Sequence, residues 1–388
     1  MAVASSALAY KRMALMTATK VTVKPPSEEV LRARDSFIDF CKAMGKPPAK
    51  HMMEWHNELC TGEDSECLMG IGGQNTAILA PRGSAKSTVL GLFAAWMIGR
   101  HTAAGQMLRI LYIAYMVDIS RAKSATIKGI LTSAKYREIF PMVRLSKIKR
   151  SDEYWSIDYD FAGIDTAGEE AFTIACGGLK GAITSKRSQL VLIDDPIKSA
   201  ASINNPDIRR EMEQTWSNVI APTMFQGARA ICLGTRFHFD DVHANLFTPK
   251  NNWKQIIQKA VITDAEGRTR SYWPEFWSLD YLLEKKRQAP IAFSFQYMNQ
   301  IIRQHELSLA PELIVKAEIA TEFDTLGVGI DLSAGIKEKN DYTVMVLGGR
   351  IDDRIHIIDY RRIRVMGNLE KLDALKELLA DWNILQQD

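Results

Sequence analysis

The chain has 388 residues, a formal net charge of +3, 46% hydrophobic residues and 24% charged residues. This composition is typical of a globular protein, and the length allows two domains with separate cores. The charge is too small to indicate a nucleic-acid partner by itself. The longest apolar run, residues 89–99, is far shorter than the roughly 20 residues that span a membrane, so we expect no membrane partner.

Residues 1–26 contain four basic residues, no acid and a final Pro-Pro pair, which favours a disordered tail. A first domain is predicted over residues 27–305, where Ser27 starts a helical pattern as an N-cap. A short helix follows over residues 50–59. Its His51, Trp55 and His56 flank an adenine base in one interpretation and belong to a packed core face in another.

The five cysteines are scattered without a C-x-x-C pair, which favours free thiols in a reducing compartment. A zinc site formed by Cys60, Cys67, His51 and His56 would fit no zinc-finger spacing.

Residues 80–88, APRGSAKST, lie between an apolar run and a helix-compatible segment. A strand, a tight loop and a helix in that order surround an anion with backbone N–H groups. Lys86 would then reach the β- and γ-phosphates of ATP, and the Ser87 hydroxyl would bind Mg²⁺. Ala80 and Ala85 replace both outer glycines of the usual motif, so an ordinary strand–helix turn is the alternative. The predicted nucleotide-binding residues in this stretch are Gly83, Ser84, Ala85, Lys86, Ser87 and Thr88.

Residues 109–115 are predicted to form a buried strand, with shorter strands at 157–161 and 172–175. Gly177, Gly178 and Gly181 indicate a flexible loop that runs to Arg187.

Residues 189–196, QLVLIDDP, predict a central parallel strand that ends in two acids. Ligands collect at the carboxyl ends of such strands, so Asp194 and Asp195 should lie beside the phosphate loop. Asp194 would hold Mg²⁺ through its waters and Asp195 would orient the attacking water. The alternative is a solvated turn.

A third buried strand is predicted over residues 228–236, and it ends in Gly234, Thr235 and Arg236. A hydroxyl and a guanidinium beside the γ-phosphate would respond to whether that phosphate is present. A plain strand-to-loop turn is the alternative.

After a helical segment at 280–303, a linker is predicted over residues 306–325 and a second domain over 326–388. Strands are expected at 327–332, 342–347 and 354–360, and a helix at 369–384. Asp331 lies near the end of the first of these strands.

Four stretches, APRGSAKST, GGLKGAITSKRSQLVLIDDP, LGTRFHFDD and YLLEKKRQAPIAFSFQYMNQ, together resemble the large terminase subunit of tailed bacteriophages. The resemblance covers about residues 37–347. It implies an α/β fold in which a P-loop, RecA/ASCE-like ATPase domain with a mainly parallel sheet precedes a ribonuclease-H-like α/β nuclease domain. It also implies an ATP-driven motor that moves double-stranded DNA into a procapsid.

The resemblance makes Arg82 a cis contact to the γ-phosphate and Arg187 a finger for a neighbouring subunit's nucleotide, although Arg187 can equally be a solvated loop cation. Asp195 departs from the Glu of many family members. Asp331, and more weakly Asp341, would bind the Mg²⁺ or Mn²⁺ of the nuclease. Because the family's later carboxylates have no counterpart before residue 388, the nuclease domain is expected to be partial and inactive in this chain.

The resemblance further implies a portal protein, a procapsid, a small terminase subunit and a homo-oligomeric ring on the portal as partners. The expected location is the cytoplasm of an infected bacterium, and the protein is not expected in the mature virion. Two alternatives remain at this stage: a DNA-stimulated P-loop ATPase or helicase without a packaging role, and a non-catalytic DNA-binding assembly subunit.

Overall fold

The structure is a computed structural model that describes residues 25–60, 74–180, 186–300, 318, 320, 322–332, 342–352, 354–364 and 367–384. The chain divides into two compact units, Met1–Gln304 and His305–Asp388. In the part of the chain just given, no helix is both long and apolar enough to cross a membrane.

The first unit is built on an eight-stranded sheet with the order β3-β4-β5-β2-β6-β7-β1-β8. Six of these strands are parallel, and β4 runs antiparallel to both of its neighbours. The strands are β1 Asn75–Leu79, β2 Ile110–Ala114, β3 Leu145–Arg150, β4 Tyr154–Ile157, β5 Ile174–Gly178, β6 Ser188–Asp194, β7 Met224–Gly234 and β8 Trp253–Ile257. A small antiparallel hairpin, β9 Val261–Thr263 and β10 Thr269–Ser271, follows them.

Helices cover both faces of this sheet. They are α1 Glu28–Asp35, α2 Phe37–Ala43, α3 Met53–Leu59, α4 Lys86–Ala103, α5 Val117–Thr132, α6 Ala134–Ile139, α7 Tyr159–Ala162, α8 Pro206–Thr215, α9 Val242–Asn245, α10 Leu279–Gln288 and α11 Pro290–Gln296. The 3-10 turns are Lys50–Met52, Ala201–Ile203, Ala221–Thr223 and Pro249–Asn251, and Trp216–Ile220 forms a π-helical turn. The predicted cap at Ser27 is confirmed, because its side chain accepts a hydrogen bond from Val30 N at 3.3 Å.

The central strands are buried on both faces, which explains their uninterrupted apolar sequences. In β6, Leu190 and Leu192 join the core that contains α4, whereas Val191 and Ile193 join the core on the opposite face. The predicted strands β2, β6 and β7 are therefore confirmed.

Three sequence predictions differ from the structure. The strand expected at 157–161 is wrong beyond Ile157, because the Asp158 carboxylate accepts from Phe161 N at 3.0 Å and starts helix α7. Gly177 and Gly178 belong to β5 rather than to a loop. An added Cβ at Gly178 would lie 2.9 Å from Val117 N, so glycine allows α5 to begin close to the strand. Gly181 lies outside the described residues.

The helical segment expected at 280–303 is divided between α10 and α11. Pro290 ends the run because it lacks an N–H group, and it starts α11 at a position where that loss is harmless.

The second unit contains an antiparallel sheet, β11 Thr325–Asp331, β12 Thr343–Ile351 and β13 Arg354–Ile363, and helix α12 Asn368–Asp381. Met345, Leu347 and Leu378 lie in its core. Ile355 and Ile357 remain exposed. The strands agree with the predicted meander, whereas its assignment to the ribonuclease-H-like class stays a prediction. Most of the segment 306–325 lies outside the described residues.

Candidate nucleotide site

The phosphate loop connects the end of β1 to the start of α4. Gly83 and Ala85 both have left-handed backbone conformations, with φ values of 77° and 63°. Ala85 is the residue immediately before α4, so an alanine takes the conformation that glycine adopts more easily. The loop of residues 80–85 therefore turns tightly at the N-terminus of an 18-residue helix, where backbone N–H groups favour anions.

Lys86 is buried at the centre of the site. Its Nζ donates to Ala80 O and Pro81 O, both at 3.1 Å, and to Thr235 Oγ1 at 3.0 Å. The Asp195 carboxylate lies 3.8 Å away. Burial lowers the pKa of Lys86, and the charges of Asp195 and Asp194 oppose that shift. The ammonium group is thus held by weak neutral partners, which phosphate oxygens can replace.

Asp194 lies at the end of β6 between two hydroxyl groups. Ser87 Oγ donates to its Oδ1 at 2.9 Å, and Tyr112 OH donates to its Oδ2 at 3.0 Å. Burial, followed by the negative charge of Asp195, raises the pKa of Asp194. A buried carboxylate next to a serine hydroxyl fits Mg²⁺, which binds oxygen ligands and retains several waters.

Asp195 follows β6 directly and has a φ of 42°. Its backbone N–H donates to Leu233 O at 2.9 Å, which anchors it against β7. Its side chain is 46% exposed, unlike that of Asp194. Asp195 can therefore contact a water molecule while it faces Lys86.

The end of β7 contacts the phosphate loop. Gly234 O accepts from Ala80 N at 3.0 Å, and Thr235 Oγ1 lies between Lys86 Nζ and Ala80 O. Arg236 instead forms an ion pair with Asp241 at 3.0 Å. Asp241 caps α9, so Arg236 stabilises the loop after β7 and is not directed at Lys86 in this structure.

The two arginines that the sequence singled out lie in different places. Arg82 is exposed within the loop, where its backbone N–H donates to Gln296 O at 2.8 Å and its Nη1 to Gln296 Oε1 at 3.2 Å. Arg187 is exposed and directly precedes β6. Because β6 has seven residues, the Cα atom of Arg187 lies about 23 Å from that of Asp194. Arg187 is therefore at the amino ends of the parallel strands, opposite the carboxyl ends where Asp194 lies.

The nuclease candidates are not gathered into a metal site among the residues that the structure describes. Asp331 is exposed at the end of β11, and Asp341 lies outside the described residues. Asp359 of β13, another carboxylate of this unit, is engaged elsewhere, since it accepts from Trp382 Nε1 at 3.1 Å and from Arg361 Nη1 at 2.9 Å. No group of three or more His, Cys, Asp or Glu residues in the described ranges is placed to hold a metal ion.

Sequence reasoning missed two contributors to the site. Tyr112, which holds Asp194, is hidden in the apolar sequence of β2, although its strand neighbours β6. Trp277 covers the phosphate loop, since its Nε1 donates to Gly83 O at 3.4 Å and an added Cβ at Gly83 would meet its ring at 2.7 Å. That contact joins residues 194 positions apart and leaves no local signal.

The fold and the site define the class of this protein. One strand, β7, lies between the phosphate-loop strand β1 and the acidic strand β6, which is the arrangement of RecA/ASCE-like P-loop proteins. The first unit is an α/β P-loop domain of that class.

The chain is similar to solved structures of phage large terminases. A large terminase from a thermophilic bacteriophage is 11% identical with a TM-score of 0.36, over 92% of this chain and 75% of that chain. A structure of that protein with ATP-gamma-S gives 10% identity and a TM-score of 0.39, over 92% and 74% of the chains. The large terminase ATPase domain of Thermus phage P74-26 gives 14% and 0.40, over 72% and 100%.

These identities and TM-scores are too low to assign an activity or residue roles to this chain. Such assignments rest on the geometry of the site alone. No model of a protein family and no curated protein matches the chain.

Proposed function

We propose that the protein is the ATP-hydrolysing motor subunit that moves double-stranded viral DNA into a procapsid. The observation that carries the ATPase part is the meeting of Lys86, Ser87, Asp194 and Asp195 at the carboxyl ends of parallel strands. An ammonium group, a hydroxyl and two carboxylates around a tight loop are the groups that phosphoryl transfer from ATP requires.

Each residue has a distinct task in this proposal. Lys86 exchanges the carbonyls of Ala80 and Pro81 for phosphate oxygens and neutralises the charge that develops on them. Asp195 accepts a hydrogen bond from the attacking water. Mg²⁺, held by Ser87 and by waters on Asp194, would supply further neutralisation of phosphate charge.

Thr235 gives the site a link to β7. Its hydroxyl binds Lys86 and the Ala80 carbonyl, so a shift of Lys86 towards phosphate breaks a contact at the end of that strand. We assign Gly234, Thr235 and Arg236 to the coupling of phosphate occupancy to movement. Arg82, exposed within the loop, would contact the γ-phosphate in cis.

A basic groove at the β3 edge of the sheet supports DNA as the translocated polymer. Its volume is about 810 Å³, and none of its described lining residues is acidic. The cations that line it are Lys128, Arg137, Arg144, Lys147, Lys149 and Arg150. Such a surface binds phosphates without reading bases, which suits movement along any sequence.

Arg187 suits a contact between subunits rather than within one, because it lies at the amino end of β6 and Asp194 lies at the carboxyl end of the same strand. The proposal therefore includes a homo-oligomeric ring on a portal protein, with a procapsid and a small terminase subunit as further partners, in the cytoplasm of an infected bacterium.

We further propose that Asp331 does not support cleavage of DNA in this chain, because two-metal chemistry needs several carboxylates that converge on the ions and Asp331 is exposed at the end of β11. Supercoiled plasmid incubated with the purified protein and Mg²⁺ or Mn²⁺ should stay intact. Efficient nicking that Asp331→Ala abolishes would overturn this part of the proposal.

Phosphate release from ATP, with and without DNA, tests the ATPase. We expect Lys86→Ala and Asp195→Asn to lower kcat by about 10²- to 10³-fold, whereas Lys250→Ala, far from the site, should match the wild type. Equal rates for Lys86→Ala and wild type would favour a non-catalytic assembly subunit. Full activity without portal and procapsid, and no stimulation by them, would favour a helicase-like ATPase.

A further inference from the structure

The carboxylate of Asp194 is held from two sides by hydroxyl groups of different elements. Ser87, in the first turn of α4, donates from Oγ to Oδ1 at 2.9 Å, and Tyr112 of β2 donates from its OH to Oδ2 at 3.0 Å. The Asp194 side chain is buried, so these two hydroxyls fix the direction of both oxygens. The proposed function gives Ser87 a task at the metal and leaves Tyr112 without one.

The register of the sheet explains how Tyr112 reaches this carboxylate. β2 and β6 are adjacent and parallel, and Tyr112 is paired with Leu192. Asp194 lies two residues beyond Leu192 on the same strand, so these side chains project from one face of the sheet, the face that packs against α4. The neighbours of Tyr112 in β2, Leu111 and Ile113, face the opposite core. Tyr112 therefore approaches Asp194 from the interior of the protein rather than from the phosphate loop.

The two hydroxyls differ in how easily another ligand can replace them. Ser87 is partly exposed at the N-terminus of α4, so its hydroxyl can turn from Oδ1 to a metal ion. Tyr112 is fully buried, and burial, followed by the charge of Asp194, raises the pKa of its phenol well above the ordinary value. The phenol thus stays protonated and continues to donate to Oδ2. Asp194 is left with one oxygen, Oδ1, for a metal ion or its waters.

The number of available carboxylate oxygens matters because divalent cations differ in what they require. Mg²⁺ demands near-ideal octahedral geometry and retains several waters, so one oxygen of a carboxylate is enough for it. Ca²⁺ takes roughly six to eight oxygens, and a carboxylate that binds through both oxygens helps to fill this larger shell. A carboxylate with one available oxygen therefore suits Mg²⁺ better than Ca²⁺.

We propose that Tyr112 sets the metal specificity of the site. By holding Oδ2, it prevents Asp194 from binding a cation through both oxygens, and this disfavours Ca²⁺ relative to Mg²⁺. The inference rests on the proposed ATPase function and deepens it, because it names the residue that selects the metal. Tyr112 acts through Asp194 and is a positioning residue.

A purely structural role for Tyr112 leads to a different expectation. In that case its hydroxyl serves to satisfy a buried carboxylate, and Tyr112→Phe lowers stability without changing the relative affinities for Mg²⁺ and Ca²⁺. The ratio of these two affinities therefore separates the two roles, and it can be measured at equilibrium without turnover of ATP.

The test uses the electron paramagnetic resonance signal of free Mn²⁺, with the full chain and an ATP analogue that cannot be hydrolysed. Increasing Mg²⁺ or Ca²⁺ displaces the bound Mn²⁺, and the same titrations with the analogue alone give the preference of the nucleotide itself. We expect the wild type to favour Mg²⁺ over Ca²⁺ at least about fivefold more strongly than the analogue alone does. Tyr112→Phe frees Oδ2, so this ratio should fall about fivefold, mainly through tighter binding of Ca²⁺.

Tyr136→Phe is the matched control. Tyr136 is also a fully buried tyrosine of the first unit, and its hydroxyl donates to Ala95 O at 2.8 Å, so its variant should keep the wild-type ratio. A ratio in Tyr112→Phe equal to that of the wild type would overturn the inference. If this variant does not fold, the wild type decides, because a preference no greater than that of the analogue alone overturns the inference as well.

The proposed ATPase can fail separately from the role of Tyr112. A chain that binds Mn²⁺ with the analogue and prefers Mg²⁺, but releases no phosphate from ATP, would overturn the ATPase and leave the role of Tyr112 standing. Hydrolysis of ATP at a site without preference between Mg²⁺ and Ca²⁺ would do the reverse. No binding of Mn²⁺ with the analogue would overturn both.

Discussion

Two residues beside the phosphate site, Ala85 and Asp195, have left-handed backbone conformations that are uncommon for residues other than glycine. Each such residue costs about 1–2 kcal/mol. Both residues lie next to elements of the site, since Ala85 directly precedes α4 and Asp195 directly follows β6. Backbone strain at a site with buried charges is typical of functional positions.

Ala85→Gly is expected to stabilise the protein by up to about 1 kcal/mol, because the strain removed exceeds the entropy that glycine adds to the unfolded chain. Urea unfolding measures the change. Ala94→Gly, in the buried middle of α4, is the control and should lose at least about 1 kcal/mol, because the helix penalty of glycine and the loss of a buried methyl group add. A loss of stability in Ala85→Gly similar to that of the control would contradict the strain argument.

Asp194→Asn should abolish ATP hydrolysis yet leave the protein as stable as the wild type or more so. Burial and Asp195 raise the pKa of Asp194, so the ionised carboxylate destabilises the fold at neutral pH, and this penalty disappears as the pH falls through the raised pKa. A thermal melt at pH 7 together with a phosphate-release assay makes the comparison. A marked decrease in melting temperature would show that the carboxylate stabilises the fold.

The sequence predicted the charged residues of the site better than the residues that hold those charged groups in place. Lys86 and Asp194 could be paired before the structure, because a phosphate loop and an acidic strand end define positions at the same edge of a parallel sheet. Tyr112 could not, because an aromatic residue in a buried strand has the same sequence signal whether or not its hydroxyl binds a carboxylate. Arg236 was expected to face the phosphate, and its ion pair with Asp241 depends on a loop geometry that no motif encodes.

At the scale of elements, Arg229 of β7 connects α3 to the sheet. Its guanidinium donates to Leu59 O at 3.1 Å, Glu58 O at 2.9 Å and Thr76 Oγ1 at 3.0 Å, and lies 3.6 Å from the Glu58 carboxylate. The side chain is fully buried. One cation thus donates to two carbonyls at the C-terminal end of α3, where the helix's own hydrogen bonds run out.

Arg229→Ala should lower the free energy of unfolding by about 3–5 kcal/mol, because it leaves buried carbonyls and a buried carboxylate with fewer partners. Urea unfolding followed by tryptophan fluorescence measures the loss. Lys254→Ala removes the half-exposed partner of the same Glu58 and should lose no more than about 1 kcal/mol. Similar losses in the two variants would show that the buried contacts of Arg229 contribute no more to the free energy of unfolding than the half-exposed ion pair of Lys254.

Elements with long apolar runs could be predicted, and those at the edge of the sheet could not. β2, β6 and β7 are buried on both faces, so their residue types leave few alternatives. β3 is an edge strand with three basic residues among six, and charged residues are a common feature of edges that must not pair further. Its sequence therefore lacks the alternating apolar pattern of a strand.

At the scale of the whole molecule, three buried histidines make stability depend on pH. Burial lowers the pKa values of His51, His101 and His243 to about 4 each, against 6.5 for an ordinary histidine. The unfolded chain therefore binds protons more readily, so stability is complete above pH 6.5 and falls as the pH decreases towards 4.

The expected slope is about 1.4 kcal/mol per histidine for each pH unit in that range. Urea unfolding at pH 7, 6 and 5 measures it. His101→Gln, remote from the phosphate loop, should remove about one third of the contribution of these three histidines. Stability that is constant between pH 7 and 5 would rule out this source of acid sensitivity.

The two edges of the sheet offer a direct test of where DNA binds. The basic groove lies at the β3 edge, and Lys147 is one of its exposed cations. Lys250, which is also exposed, precedes β8 at the other edge. Lys147→Ala should weaken the binding of two unrelated DNA duplexes to the same extent and reduce the slope of log K against log salt by about 1.

Fluorescence anisotropy between 50 and 200 mM salt supplies both quantities, and these concentrations span the range in which phosphate contacts dominate affinity. Lys250→Ala should change neither, because a cation beyond about one Debye length from the bound DNA is screened. Equal effects of the two variants would place DNA elsewhere on the molecule, and an effect on only one of the duplexes would mean that the groove reads bases.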